Sequence, residues 1–113
     1  MITSYQFGSI TIDGKRYDFD VKIVGGKVVP DWWRSQGHLL QVEDITDILA
    51  ERPEVLVVGQ GASGNMRLAA DVEETLAKYS IRLIAENSGH AVDELNRLSK
   101  EGVSVAGAFH LTC

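Results

Sequence analysis

Val55-Leu56-Val57-Val58-Gly59-Gln60-Gly61-Ala62-Ser63-Gly64 is a short apolar run, rich in β-branched residues, that stops in a glycine-rich turn. The run does not alternate, so it reads as a strand buried on both faces, and such strands belong to parallel sheets covered by helices. The chain beyond Gly64 keeps that pattern. Val72, Leu76 and Tyr79 recur at i, i+4 and i+7 and predict a helix over about Ala70 to Tyr79. Ile81 to Ala85 is another apolar strand. Ala91, Leu95 and Leu98 predict a second helix over about His90 to Lys100, with Gly102 placed to cap it. Val103 to His110 reads as a last strand. Strands alternating with helices require right-handed crossovers and at least partly parallel pairing.

Upstream of Val55 the period changes to two. Ile10 and Ile12 alternate with Ser9, Thr11 and Asp13, and Asp13-Gly14 is a hairpin signal. Tyr17, Phe19, Val21 and Ile23 then alternate with Asp18, Asp20 and Lys22, which places the apolar set on one face and the charges on a wet face. Gly25-Gly26 marks a turn into a third strand at Lys27-Val28-Val29. Pro30 to Leu40 is irregular. Glu43 and Asp44 open a helix whose apolar stripe is Ile45, Ile48 and Leu49, and Pro53 blocks its continuation. No linker, repeat or low-complexity stretch interrupts residues 1–113. The expected architecture is a single compact three-layer α/β domain. It has an N-terminal β-meander followed by βαβαβ, in a mixed sheet with helices on its faces.

The chain has 113 residues, of which 44% are apolar and 24% charged, and this length buries a sufficient core without staples. Its one cysteine, Cys113, suits a reducing compartment. No run approaches the roughly 18 apolar residues of a membrane helix, and no basic-then-apolar leader is visible at Met1, so a cytoplasmic location is expected. A net charge of -5 without a basic stripe argues against nucleic acid as a partner and against an anionic membrane surface.

Gly59, Gly61 and Gly64 spell G-x-G-x-x-G directly after a strand, and Glu86 stands where an acid holds the ribose in dinucleotide sites. A ligand there would meet Gly59, Gly61, Ser63, Gly64, Asn65, Arg67 and Glu86. Three features oppose this. The next helix starts five or six residues late, its first turn carries Asp71, Glu73 and Glu74, which repel phosphate, and the chain holds only about half of a doubly wound fold. A tight structural turn is the favoured reading. Ser63 does not complete a G-x-S-x-G elbow, because residue 65 is Asn65. His110 and Cys113 supply two ligands where a zinc site needs three or four, so neither metal nor cofactor is expected, and no catalytic residue is assigned. Consecutive Trp32 and Trp33 cannot both face inward on an extended chain. With Arg34 and His38, Trp33 makes a candidate interaction surface.

Trp33-Arg34 with Gly37-His38, then Pro53-Glu54-Val55-Leu56-Val57-Val58-Gly59-Gln60-Gly61, Glu101-Gly102 and Ala108-Phe109-His110-Leu111-Thr112-Cys113 form a series whose order and spacing resemble a domain-of-unknown-function family. That family includes a mitochondrial complex I assembly factor and an adipogenesis-associated cytosolic protein. The resemblance spans Phe7-Gly8 to Cys113. It implies a three-layer α/β fold, no established catalytic residues, and action through protein contacts in some members. The functional expectation is a non-enzymatic interaction or assembly module with an unidentified protein partner. The alternative is a small-molecule or nucleotide-binding protein using the turn at 59–64.

Overall fold

In a computed structural model describing residues 1–113, the run Val55–Gln60 is an inner strand of a five-stranded mixed sheet. In chain order the strands are β1 (Ile2–Gln6), β2 (Ser9–Ile12), β3 (Lys15–Tyr17), β4 (Val21–Val24), β5 (Lys27–Val29), β6 (Leu39–Leu40), β7 (Val55–Gln60), β8 (Arg67–Leu68), β9 (Arg82–Glu86) and β10 (Val105–His110). The helices are α1 (Thr46–Glu51), preceded by a 3₁₀ turn at Val42–Ile45, then α2 (Ala70–Lys78) and α3 (Ser88–Lys100). The main sheet runs β5-β4-β10-β7-β9. β7 pairs in parallel with both β10 and β9, with Val57 opposite Gly107 and Ile84. β4 joins the other side of β10 antiparallel, with Phe109 opposite Val21.

Both faces of this sheet are covered, as the continuous apolar run requires. Val55, Val57 and Phe109 pack with α3 and the small antiparallel sheet β1-β2-β3. Leu56, Val58, Ala106 and Ala108 pack with Trp32, α1 and α2 on the opposite face. The result is the expected three-layer α/β domain.

The N-terminal region departs from the expected single meander. The alternation from Tyr17 to Ile23 does not run through one strand; it breaks at Asp18–Asp20, and the two halves belong to different sheets. Phe19, assigned to the apolar face, is 69% exposed. The cause is Asp20. Its carboxylate turns inward and accepts from the Leu111 amide at 2.8 Å, which pins the crossover between the sheets. Lys22, assigned to a wet face, is buried, because α1 covers that face. Its Nζ donates to Asp47 at 2.8 Å and lies 5.9 Å from the Trp32 ring centre. α3 begins two residues before the expected start because the Asn87 side chain caps it, accepting from the His90 amide at 3.0 Å.

Candidate functional site

Three segments distant in sequence meet at one end of the main sheet: the β3–β4 crossover (Asp18–Asp20), the loop after β5 (Asp31–Arg34) and the end of β10 running into Leu111 and Thr112. At their junction lies a buried polar cluster. Arg34 Nη2 donates to Asp20 Oδ2 at 2.8 Å and to the Gly37 carbonyl at 2.7 Å. His110 Nδ1 lies 2.8 Å from the same Asp20 oxygen. The side chains of Arg34, His110 and Asp20 retain only 3%, 8% and 16% of their exposure. The guanidinium rests on the Trp32 ring, 4.5 Å from its centre, and the Trp32 indole donates to the Asp44 carbonyl. This arrangement fixes the direction in which Arg34 can reach.

Burial by itself raises the Asp20 carboxyl. Hydrogen bonds from His110, the Leu111 amide and Arg34, together with the Arg34 charge, outweigh that and hold it below the usual carboxylate value. An ionised carboxylate at 2.8 Å from Nδ1 requires a proton there. Nδ1 and Arg34 Nη2, 3.1 Å apart, are therefore two donors converging on one carboxylate rather than partners of each other. In neutral His110 this leaves Nε2 as a bare acceptor, and no group in the protein bonds to it. An aspartate-oriented imidazole is the arrangement of a general base. No hydroxyl or thiol is bonded to Nε2, so no nucleophile is set up beside it.

The cluster forms one wall of a cleft of about 430 Å³ lined by Asp18, Phe19, Asp20, Asp31, Trp32, Trp33, His110, Leu111 and Thr112. Of the tryptophan pair, Trp32 is buried and Trp33 is 79% exposed. Trp33 and Phe19 thus stand at the edge of the cleft as large apolar rings in water. His38, also exposed, packs edge-on against His110 with ring centres 5.6 Å apart. Arg34 does not share that exposure. Sequence patterning put it on the surface with Trp33 and His38. Its pairing with Asp20 draws it into the interior, where it supports the surface from below.

The glycine-rich turn lies elsewhere. The Ala62 amide donates to the Thr112 carbonyl at 2.7 Å and the Asn65 amide to the Cys113 carbonyl at 3.1 Å. The Gly61 amide donates to Ser88 Oγ at 2.9 Å, and Ser88 Oγ in turn donates to the His110 carbonyl. Gly61 has φ +100°, and a Cβ there would stand 2.5 Å from the Thr112 carbonyl oxygen. The close backbone approach is thus to the chain's own end. Gly59 has a similar reason, since a Cβ would strike Phe109 and the Ser88 hydroxyl at the start of α3. The helix that abuts the turn is α3 and not α2, the one next in sequence. Ser63, Asn65 and Arg67 are exposed, Gly64 is half-buried, and Glu86 is half-buried opposite Gly59 on β9. None of Gly59, Gly61, Ser63, Gly64, Asn65, Arg67 or Glu86 lines the cleft. No group of three or more His, Cys, Asp or Glu side chains converges in a way that would hold a metal ion.

Sequence reasoning missed Asp20, Phe19 and Asp31. The first two are hidden inside a stretch that alternates like an ordinary strand. Asp31 comes after a proline in an irregular loop. The inward turn of Asp20 depends on Arg34 and on Leu111, 91 residues away, so no local signal points to it.

Among solved structures, the chain is similar to a conserved hypothetical protein, PH1505, from Pyrococcus horikoshii OT3. The two are 25% identical, with a TM-score of 0.84 over 100% of this chain and 99% of that one. It is similar to MT938 at 22% identity and a TM-score of 0.82, covering 100% and 98%. It is also similar to Xanthomonas campestris XCC1710 at 20% identity and a TM-score of 0.81, covering 98% and 83%. These likenesses are of fold. Residues 2–110 match the family described as protein of unknown function (DUF498/DUF598), and the chain belongs to that family.

Proposed function

We propose that this domain is a protein-interaction module that docks its partner at the cleft lined by Phe19 and Trp33, with exposed His38 packed against His110 of the same wall. The observation carrying this reading is the pair of rings, Phe19 at 69% and Trp33 at 79% exposure, lining one hollow. Aromatic side chains left in water beside a concave surface are the usual anchors of interfaces. The wall behind them is stiff, because the Asp20–Arg34–His110 cluster ties three segments together, and a stiff wall lowers the ordering cost of binding. The sequence resembles a family in which some members act through protein contacts, and this agrees with the reading.

The test is a photo-crosslinking residue at position 33 in the full chain, expressed in its host. Capture of one discrete protein, lost on Phe19→Ala, supports the reading. Absence of any adduct above a control with the probe at exposed Glu73 overturns it.

A further inference from the structure

The polar groups on the cleft wall share one character. Three carboxylates line it, from Asp18, Asp20 and Asp31, and neither lysine nor arginine does. Asp20 is consumed by its three donors. Asp18 takes the Arg16 Nε at 2.8 Å, but both side chains are more than half exposed, and an exposed pair of this kind is readily exchanged. Asp31 makes no ion pair or side-chain hydrogen bond, and its backbone is held at φ +51° beside the tryptophans. His110 Nε2 and the Arg34 Nε and Nη1 donors are sealed beneath the wall and do not reach the hollow. The polar side chains that the hollow itself offers are therefore the Asp31 and Asp18 carboxylates, and they share its lining with Trp33 and Phe19.

From this we infer the partner's chemistry: a chain segment that inserts a cationic side chain, arginine or lysine, between Trp33 and Asp31, with an apolar neighbour against Phe19 and Leu111. The inference rests on the docking of a protein partner at this cleft. A cation is the one side-chain class served by every element present. The aromatic faces attract it through their quadrupoles, the more so when it is desolvated. Asp31 and Asp18 neutralise it, and the apolar walls take its methylenes. At about 430 Å³ the hollow admits one long side chain with part of a neighbour. An anion would meet the unpaired Asp31 carboxylate and no lysine or arginine on the lining. Beyond Phe19 a second hollow of about 250 Å³ shares Asp18 and Asp31 but adds Lys15 and Arg16. It gives the segment a direction, cation at the Trp33 end and neutral or acidic residues at the Lys15 end.

The test uses ¹⁵N-labelled full chain titrated with a five-residue capped peptide, Gly-Leu-Arg-Leu-Gly, and with the same peptide carrying citrulline, which keeps the shape and removes the charge. The arginine peptide is expected to shift the Trp33 indole and the Phe19 and Asp31 amides, and to bind about tenfold more tightly than the citrulline peptide. Asp31→Asn keeps a residue suited to positive φ and is expected to lose about the same factor. Asp31→Gly removes the carboxylate with no backbone strain, so a fold defect cannot mimic the loss. Equal affinity for the two peptides, or affinity unchanged in both Asp31 variants, overturns the inference. If no peptide binds while the probe at position 33 still captures a protein, the cation inference falls and the docking reading stands. Failure of both removes both.

Discussion

Replacing Asp20 by asparagine tests whether the cleft wall is held by a charge or merely by shape. The substitution keeps the side-chain volume and removes the one anion that faces Arg34, whose side chain is 3% exposed. Removing one partner of a buried ion pair costs about 3–5 kcal/mol, because the remaining charge stays buried without compensation. Asp20 keeps 16% of its side chain in solvent, so the low end applies, about 3 kcal/mol. For 113 residues at about 2.1 cal/mol/K each, the unfolding entropy is about 0.24 kcal/mol/K, and the Tm falls by about 12 °C. Urea unfolding monitored by circular dichroism reads the free energy, and thermal scans read the Tm. Arg34→Met alone is destabilising as well, since it strands the carboxylate. The double variant Asp20→Asn/Arg34→Met is expected to cost clearly less than the two single changes together, because it leaves no unpaired charge. A loss under about 1 kcal/mol in Asp20→Asn, or simple additivity in the double variant, would refute the argument.

The same pair sets a pH dependence. The folded Asp20 carboxyl lies below its ordinary value. Its contribution is therefore complete above about pH 4, where the unfolded group ionises, and is lost as the pH falls through the folded value. The stability gap between wild type and Asp20→Asn should accordingly narrow as the pH falls below about 4; a gap that widens there contradicts the assignment.

Single contacts set the remaining outcomes. Gly61→Ala forces a Cβ onto the Thr112 carbonyl as well as holding alanine at φ +100°, whereas Gly64→Ala, at φ +72° with open space around it, costs only the backbone term of about 1–2 kcal/mol. Equal urea midpoints for the two variants would count against the packed turn. Trp32→Ala should lose about 3–5 kcal/mol from the core, while Trp33→Ala, on the surface, stays within about 0.5 kcal/mol of wild type. Asn87→Ala removes the α3 cap and should cost about 1 kcal/mol, with faster amide exchange confined to the first turn of that helix.

Much of the fold was legible because its signals are local. Val55–Val58 announces a strand covered on both sides, and the 3.6-residue spacing of Val72, Leu76 and Tyr79, then of Ala91, Leu95 and Leu98, announces the two helices behind it. The adjacency of Trp32 and Trp33 suggested that one of them is exposed, and the structure buries Trp32 and leaves Trp33 in water. The glycine fingerprint was ambiguous by nature. The same three glycines serve any close backbone approach, and only the fold shows that what approaches is the chain's own Thr112 and Cys113.

The sequence by itself therefore determined the class of architecture and the order of its main elements, since periodicity acts over a few residues, while the outward turn of Trp33 was only one of two readings it offered. The tertiary structure alone decided which way Asp20 points, that Arg34 is interior, and that Phe19, Asp31 and Trp33 surround one hollow. Those facts depend on a buried carboxylate finding donors 14 and 90 residues away. The burial that makes such a pairing matter exists only once the three segments have met.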